Sequence, residues 1–432
     1  MLKAKYITLG CKLNQAETVQ ISDNLLNASI AERCDKISDK PDLILVNTCA
    51  VTTKAASKSR HMISKVVREN PGAIIVAAGC LAQLDADLTA KIPGVDYVLG
   101  TSNRFDTEWW CGKPDETIVA VDKDPTSPLQ EYKSLEIVRS RSMLKIQDGC
   151  NCSCAYCIIP KLRGRQRSVS IDAILKSVYG MLSEGVQEIV LTGVRIGSWG
   201  SDFNKRLNLV DLLSNIISIK GDFRIRLGSI EPWELDMGLI DMVVNEQKIC
   251  SHMHIPLQHT VPVVLKRMNR PANTRIMDVI SDVKIKNPDL SVGADIITGF
   301  PGETEDDFRR LCKDILELPL TYLHVFGFSE RPGTAAVHFQ DKCHSEIIRV
   351  RVGLLREIGI EKRDEFMKSQ DGRIKRVIAH STTGKSSRHV VAVTDNYLKV
   401  KVATGDVIPG RLIPVVLSYK TGIGLWGKTL ES

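Results

Sequence analysis

The stretch MLKIQDGCNCSCAYCIIP, Met143 to Pro160, joins a short apolar run to a loop crowded with cysteines. Met143 to Ile146 reads as a strand, and Gln147-Asp148-Gly149 ends it. Cys150, Cys154 and Cys157 then form CxxxCxxC, with an aromatic residue before the last cysteine. Three thiolates in so compact a loop can hold three irons of a cubane cluster and leave the fourth iron for a small molecule. The competing reading is a zinc ribbon, which needs a second cysteine pair in register. The downstream cysteines, Cys250, Cys312 and Cys343, stand singly.

Upstream, three β-rich runs each end in a cysteine: KYITLGC at Cys11, DLILVNTC at Cys49 and AIIVAAGC at Cys80. A helix-compatible stretch follows each, and a further run, DYVLG, follows the third. Strand alternating with helix predicts a parallel, doubly wound sheet. In such a sheet the residues just after the strands gather at one carboxyl edge, where ligands bind. Three thiols there can converge on one soft-metal centre, zinc or iron–sulfur, with one metal position open. The plainer alternative is three unrelated strand-end cysteines, since buried free cysteine is common. Cys34 and Cys111 lack this placement and read as packing residues.

Downstream, MLKI, EIVLTGV, FRIRLGSI, HMHI, SVGADII and YLHVFGF alternate with helical stretches. Six βα repeats predict a partial (β/α)6 barrel with its chemistry at the strands' carboxyl ends. The loops there include Thr192-Gly193, Ser229 to Pro232, Gln258 and Gly299 to Glu303. Glu303 reads equally well as an acid in the first turn of a helix. Arg163, Arg165 and Arg167 follow the cysteine loop and suit either RNA phosphates or a solvated basic surface. His254 and His259 flank Pro256 and invite a metal reading, although His254 fits better as a barrel-facing histidine. Beyond Ser369 to Gly372, the runs RIKRVIAH, HVVAVTD, YLKVKVA and RLIPVVLSYK read as short strands of a small antiparallel β-barrel, with a hairpin at Asp395-Asn396.

The domain division expected is therefore 1–140, 141–370 and 371–432, which suits 432 residues at about 150 per domain. These segments carry formal charges of −1, +2 and +6, so the last holds most of the total of +7. At 43% apolar and 25% charged residues, wholesale disorder is excluded. Twelve cysteines are too few for a disulfide scaffold, which needs about 8–10%. The longest uncharged run, Pro71 to Leu84, is too short to span a membrane. The N-terminus shows no secretory pattern, so the expected compartment is the cytoplasm.

The CxxxCxxC loop after a strand resembles that of the radical S-adenosylmethionine enzymes. Within them the chain resembles the methylthiotransferases, through TLGCKLNQAET (Thr8 to Thr18), VNTCAVT (Val46 to Thr52), AAGCLAQ (Ala77 to Gln83) and DGCNCSCAYCIIP (Asp148 to Pro160). LGSIEP (Leu227 to Pro232), IPLQ (Ile255 to Gln258), LKRMNR (Leu265 to Arg270) and DIITGFPGET (Asp295 to Thr304) extend the match. GVRIGSWG (Gly193 to Gly200) and LHVFGFSERPGT (Leu323 to Thr334) look most like the branch acting on threonylcarbamoyl-adenosine next to the tRNA anticodon. The resemblance implies two 4Fe–4S clusters, one on Cys150, Cys154 and Cys157 that binds S-adenosylmethionine, the other on Cys11, Cys49 and Cys80 that presents sulfur. It implies a 5′-deoxyadenosyl radical that takes hydrogen from carbon 2 of the adenine. It also implies S-adenosylmethionine contacts from Thr192, Gly193, Ser229, Glu231 and Gln258. The partners implied are the tRNA anticodon stem-loop and an external electron donor, with no membrane, and the chain is expected to be a monomer. Arg163, Arg165 and Arg167, with Lys375 and Arg376 of the RNA-binding C-terminal module, are the expected phosphate contacts, and Tyr397 and Trp426 offer stacking surfaces. The alternatives are the isopentenyl-adenosine enzyme, the relative modifying a ribosomal protein aspartate and, from another class, a non-catalytic iron–sulfur RNA-binding protein. The chain departs from the family pattern at Cys152, at His259 to Pro262, at Arg195 and at Trp199.

Overall fold

Leu43–Thr48 and Ile74–Gly79 are buried at every position, which marks strands covered on both faces. They form the middle of a parallel sheet in the computed structural model, which describes residues 1–34, 40–110, 112–125, 141–272, 275–379 and 389–430. The strands are β1 (Leu2–Thr8), β2 (Ala31–Arg33), β3 (Leu43–Thr48), β4 (Ile74–Gly79), β5 (Tyr97–Leu99) and β6 (Ile118–Ala120), in the order β2-β1-β3-β4-β5-β6. Every pairing is parallel, and separate apolar cores cover the two faces. The order reverses between β1 and β3, which opens a crevice at their carboxyl ends. Cys11 follows β1 at the start of α1 (Lys12–Asn27), Cys49 follows β3 ahead of α2 (Thr53–Glu69), and Cys80 opens α3 (Cys80–Leu84). The three-residue strands β2 and β6 go beyond the sequence expectation, being too short to show any alternation. Cys34 is buried, and Cys111 lies outside the described residues.

The second module begins with β7 (Ser142–Lys145). A two-residue hairpin, β8 (Gln147–Asp148) with β9 (Arg167–Ser168), clamps the base of the cysteine loop. The arc continues through β10 (Glu188–Thr192), β11 (Arg224–Leu227), β12 (His252–Gln258), β13 (Ser291–Thr298) and β14 (Tyr322–Gly327). Two three-stranded parallel sheets, β7-β10-β11 and β12-β13-β14, join through bridges at Ile225–Ile249 and Ser229–His254. The result is an open arc of six strands with helices outside, a partial barrel. Among the described residues no helix is long and apolar enough to cross a membrane.

The chain ends in a closed barrel of β15 (Ile374–Ala379), β16 (His389–Thr394), β17 (Lys399–Ala403), β18 (Leu412–Lys420) and β19 (Gly424–Thr429). The turn between β16 and β17 covers the expected Asp395-Asn396. The fifth strand, β19, was not foreseen; it closes the barrel by pairing parallel to β17 and antiparallel to β18.

Buried charge docks this barrel on the second module. Glu188, fully buried, accepts from Arg224 Nε at 2.7 Å and Arg226 Nε at 2.9 Å. Arg224 then donates to the carbonyls of Arg376 (2.8 Å) and Val393 (3.0 Å), and Arg226 to those of Thr394 and Asp395 (both 2.8 Å). Lys375 pairs with Asp289 at 3.1 Å and Arg376 with Asp222 at 2.6 Å. Of the two expected phosphate contacts, Lys375 is half-buried against Asp289 and serves docking, whereas Arg376 pairs with Asp222 at the exposed surface. Glu188→Leu leaves two buried guanidinium groups without a counter-charge and is expected to cost about 3–5 kcal/mol. Limited proteolysis should release a C-terminal fragment faster than in wild type, with a lowered midpoint in thermal denaturation.

Candidate functional site

Two glycines set the first cysteine group. Gly10 (φ +97°) and Gly79 (φ +95°) turn the chain just before Cys11 and Cys80. A Cβ on Gly10 would lie 2.6 Å from Cys49 Cβ and 2.8 Å from its Sγ, so the backbone before Cys11 presses on Cys49. Ser59 of α2 fixes the Cys49 backbone, accepting from its N–H at 3.1 Å and donating to its carbonyl at 2.8 Å. Cys49 and Cys80 are buried, while Cys11 is exposed toward the crevice. Burial pushes the Cys49 thiol up to about 11. Arg163 Nη2 stands 3.8 Å from Cys80 Sγ. Arg331, only 5% exposed, has Nε and Nη2 without a hydrogen-bond partner among the described residues, and it lies within electrostatic range of Cys49.

The second group lies on the loop after β8. Cys150 N–H donates to Gly164 O at 3.1 Å, Ala155 N–H to Met268 O at 2.9 Å and Cys157 N–H to Cys154 O at 3.0 Å. Arg270 reaches Cys154 Sγ at 3.8 Å. Hydrogen bonds from Cys152 draw the Cys150 thiol down to about 6, whereas burial raises Cys157 to about 12. Cys152 Sγ accepts from Arg195 Nη1 at 3.0 Å, and Arg195 in turn pairs with Glu234, so two of the departures from the family pattern meet each other.

A buried ion network ties the two groups together. Glu17 of α1, fully buried, contacts Arg104 at 2.6 Å, Arg163 at 2.9 Å and Lys145 at 3.0 Å. Asp148 contacts Lys145 at 2.9 Å and Arg163 at 3.0 Å. Asn14 accepts from Arg163 Nη2 at 2.9 Å. Asp148 lies just before Cys150, and Arg163 ends the short helix Ile159–Arg163 behind Cys157. Arg163 is thus 2% exposed, and its assignment to RNA is corrected: it is the centre of the network. Arg167 leans on the same network, donating to Arg163 O at 2.9 Å, and Arg165 alone of the three arginines is exposed.

Between the groups lies a cavity of about 200 Å³ whose lining includes Val51, Thr52, Cys157, Gln258, Asp295 and Phe326. Of the residues expected around S-adenosylmethionine, Gln258 lines it, at the end of β12 with φ +63°. Thr192 is buried at the end of β10, Gly193 packs on the Gln147 backbone, and Ser229 is exposed beyond β11. Glu231 is held by Arg270 at 2.6 Å and accepts in the cap of Pro232–Glu234. Glu303 accepts from Thr298, Gly299 and Phe300 and pairs with Arg351, so it pins its own turn.

His254 and His259 do not share a site. His259 is buried apart and accepts from Val261 N–H, whereas His254 Nε2 meets Asp295 at 2.9 Å and its Nδ1 meets Tyr322 at 3.0 Å. His324 joins the same carboxylate at 3.2 Å. Sequence reasoning missed this polar wall; its only trace was alternation along β12, β13 and β14, which aims His254, Asp295 and His324 inward. Among the described residues these are the only trio with ligand atoms mutually within 4.8 Å. Neither cysteine trio is therefore drawn to zinc spacing, where Zn–S bonds of about 2.3 Å place sulfurs about 3.8 Å apart.

Residues 3–100 match the model described as "Uncharacterized protein family UPF0004", and residues 144–315 match the Radical SAM superfamily. The threonylcarbamoyladenosine tRNA methylthiotransferase MtaB of Aquifex aeolicus is 32% identical over 96% of this chain and 100% of its own. The chain belongs to the radical S-adenosylmethionine methylthiotransferase family. The MtaB of Bacillus subtilis is 33% identical over 96% of this chain and 93% of its own. A tRNA-2-methylthio-N(6)-dimethylallyladenosine synthase of Clostridium botulinum is 28% identical over 98% and 96%. Among solved structures, the methyltransferase TsrM from Kitasatospora setae shares the fold, with a TM-score of 0.58 at 14% identity over 78% of this chain and 77% of that one. A methylthiotransferase of this family uses S-adenosylmethionine and two 4Fe–4S clusters. The residues present fit such groups. A cubane on three thiolates is an anion, and guanidinium groups stand beside both trios: Arg163 and the orphaned Arg331 at one, Arg270 at the other.

Burial alone would raise the Glu17 carboxyl, but Arg104, Arg163 and Lys145 overcome it and hold it down at about 2, against an ordinary 4.5. A depressed carboxyl stabilises the fold above the unfolded value and loses that contribution as pH falls through the folded one. Glu17→Gln is expected to lose about 3 kcal/mol at neutral pH. Its denaturation midpoint should fall less steeply than that of wild type as the pH drops from 4.5 toward 2.

Proposed function

We propose that this methylthiotransferase acts on tRNA, converting N6-threonylcarbamoyladenosine at position 37, next to the anticodon, to its 2-methylthio derivative. The observation that carries the reading is the buried network of Glu17, Asp148 and Arg163, which ties the helix after Cys11 to the loop of Cys150, Cys154 and Cys157 beside a cavity lined by Val51, Thr52 and Cys157. A protein that only binds RNA needs no second open cluster. Cys150, Cys154 and Cys157 would hold the cluster that binds S-adenosylmethionine, and Cys11, Cys49 and Cys80 the cluster that presents sulfur. When bound, these groups supply the radical chemistry that activates carbon 2 and the sulfur that replaces its hydrogen. The chain's own residues do the rest. Gln258, Thr192, Gly193, Ser229 and Glu231 surround the strand ends where S-adenosylmethionine would be oriented. Val51, Ile297 and Phe326 give the cavity apolar walls that exclude water from the reacting carbon.

The wall formed by His254, Asp295, His324 and Tyr322 is polar and suits a substituent rich in hydrogen-bonding groups better than the apolar isopentenyl group. The tRNA named for the MtaB relatives agrees with that choice. Residues 1–140, 141–370 and 371–432 would work as sulfur-donating, radical and RNA-binding modules. On the last, Trp426 lies edge-on to His389 at 4.6 Å, with Lys420 and Lys401 over its ring at 5.0 and 5.5 Å, a face suited to bases and phosphates. Arg165 would add a phosphate contact beside the cysteine loop. An external electron donor and a cytoplasmic, monomeric enzyme complete the reading.

Anaerobic reconstitution should find about eight irons per chain, falling by about half in Cys150→Ala or in Cys49→Ala; iron unchanged by either substitution overturns the two-cluster assignment. Mass spectrometry of tRNA nucleosides, with and without the gene, checks the substrate: the methylthiolated threonylcarbamoyl-adenosine should disappear without it. Loss of the isopentenyl derivative instead would transfer the assignment to the other tRNA branch.

A further inference from the structure

Helix α2 carries a charge pattern that the cysteine chemistry does not use. Lys54, Lys58, His61, Lys65 and Arg68 follow one another at spacings of four, three, four and three, which places all five on one face. Every one of them is exposed, while Ala56, Ser59, Ile63 and Val66 are buried on the opposite face. The stripe has a single acidic neighbour on the helix, Glu69, 3.8 Å from Lys65 at the far end. Like charges three and four residues apart destabilise a helix, so local stability does not explain the arrangement. Nor does composition, because residues 1–140 carry a formal charge of −1. Four of the seventeen lysines and arginines of a near-neutral module, with one histidine, thus share a single helix face.

The stripe also starts at the reaction site. Val51 and Thr52, just ahead of α2, line the cavity between the two cysteine groups. Thr53 Oγ1 lies 3.0 Å from Ser329 Oγ and donates to Glu330 O at 3.2 Å, which anchors the helix start to the loop after β14. From Lys54 to Arg68 the helix rises about 21 Å away from that point, the reach of several consecutive phosphates. The exposed face has no large apolar residue, whereas a protein partner would need an apolar or aromatic centre to its interface.

We propose that the outer face of α2 is a track for the phosphodiester backbone of the RNA substrate, leading from the anticodon arm to the cavity. This rests on the tRNA reading given above. The track supplies electrostatic attraction without sequence readout and works alongside the basic face of the C-terminal barrel.

The test is a triple substitution in the holoenzyme, Lys58→Gln, Lys65→Gln and Arg68→Gln, with Arg309→Gln plus Lys313→Gln, an exposed basic pair on the outer helix Glu305–Glu317, as the control for loss of positive charge elsewhere. Fluorescence anisotropy measures binding of full-length tRNA from low to moderate salt. The triple variant should bind about tenfold or more weakly, and the slope of log affinity against log salt should flatten by about 2. Iron content should stay at the wild-type level, showing that the module is folded, and the control pair should match wild type. Unchanged affinity and slope would overturn the proposal. So would unchanged tRNA binding combined with slower reduction by a protein electron donor than by dithionite, which would make the stripe a docking face for an acidic protein. Because binding is measured apart from turnover, a wild-type enzyme that binds tRNA through this stripe yet yields no methylthiolated nucleoside would count against the substrate reading and leave the track standing.

Discussion

The contact between Glu17 and Arg163 determines where everything reactive sits. Glu17 comes from the helix behind Cys11, and Arg163 from the short helix behind Cys157. With Arg104, Lys145 and Asp148 they form a solvent-free network of three cations and two carboxylates. Removing such charges from water is expensive, and the cost is met only when every partner is in place. The excess cation faces Cys80, with Arg163 Nη2 3.8 Å from its Sγ. The geometry of the two cysteine groups is thus set by electrostatics shared across two modules, and not by either module's apolar core. A rigid separation matters for chemistry that must bring sulfur and an activated carbon together, because small misplacements are costly in rate.

A second network repeats the device at the other end of the partial barrel. Glu188 gathers Arg224 and Arg226, and these turn their remaining donors on backbone carbonyls of the C-terminal barrel. The barrel interior is therefore charged at a depth where many barrels are filled with branched apolar side chains. Tyr397, with φ +65° at the β16–β17 turn, enters beside Arg226 and His252 and has Lys12 over its ring at 5.0 Å. One aromatic side chain of the last module thereby touches both of the others. The C-terminal barrel is thereby fixed to the body that carries both cysteine groups.

Much of this architecture was legible in the chain. The strands ending in Cys11, Cys49 and Cys80 and the six strands of the arc announce themselves by apolar runs closed with turn residues. Of the three-residue strands, β5 shows through the run DYVLG, whereas β2 and β6 are too short to show any alternation and went unforeseen. Side-chain roles were less legible than side-chain types. Arg163, Lys375 and Arg376 look alike in sequence to phosphate-binding residues, yet each is paired with a carboxylate distant in sequence. The His254–Asp295–His324 wall depends on the register between β12, β13 and β14, which the alternation within each strand does not set. The stripe on α2 was hidden in a charge total near zero: counting per module averages away what one helix face concentrates.

The split of the Glu17 network between modules also gives it a direction in time. Glu17 and Arg104 both belong to the first 110 residues and can pair as soon as that part of the chain has left the ribosome. Lys145, Asp148 and Arg163 emerge later, the last of them about 3 to 12 s after Arg104 at ordinary synthesis rates of about 5–20 residues per second. Until then Glu17 has one cation instead of three, and Cys80 lacks its guanidinium neighbour. The electrostatic setting of the first cysteine trio is therefore completed only by residues that the ribosome delivers after it.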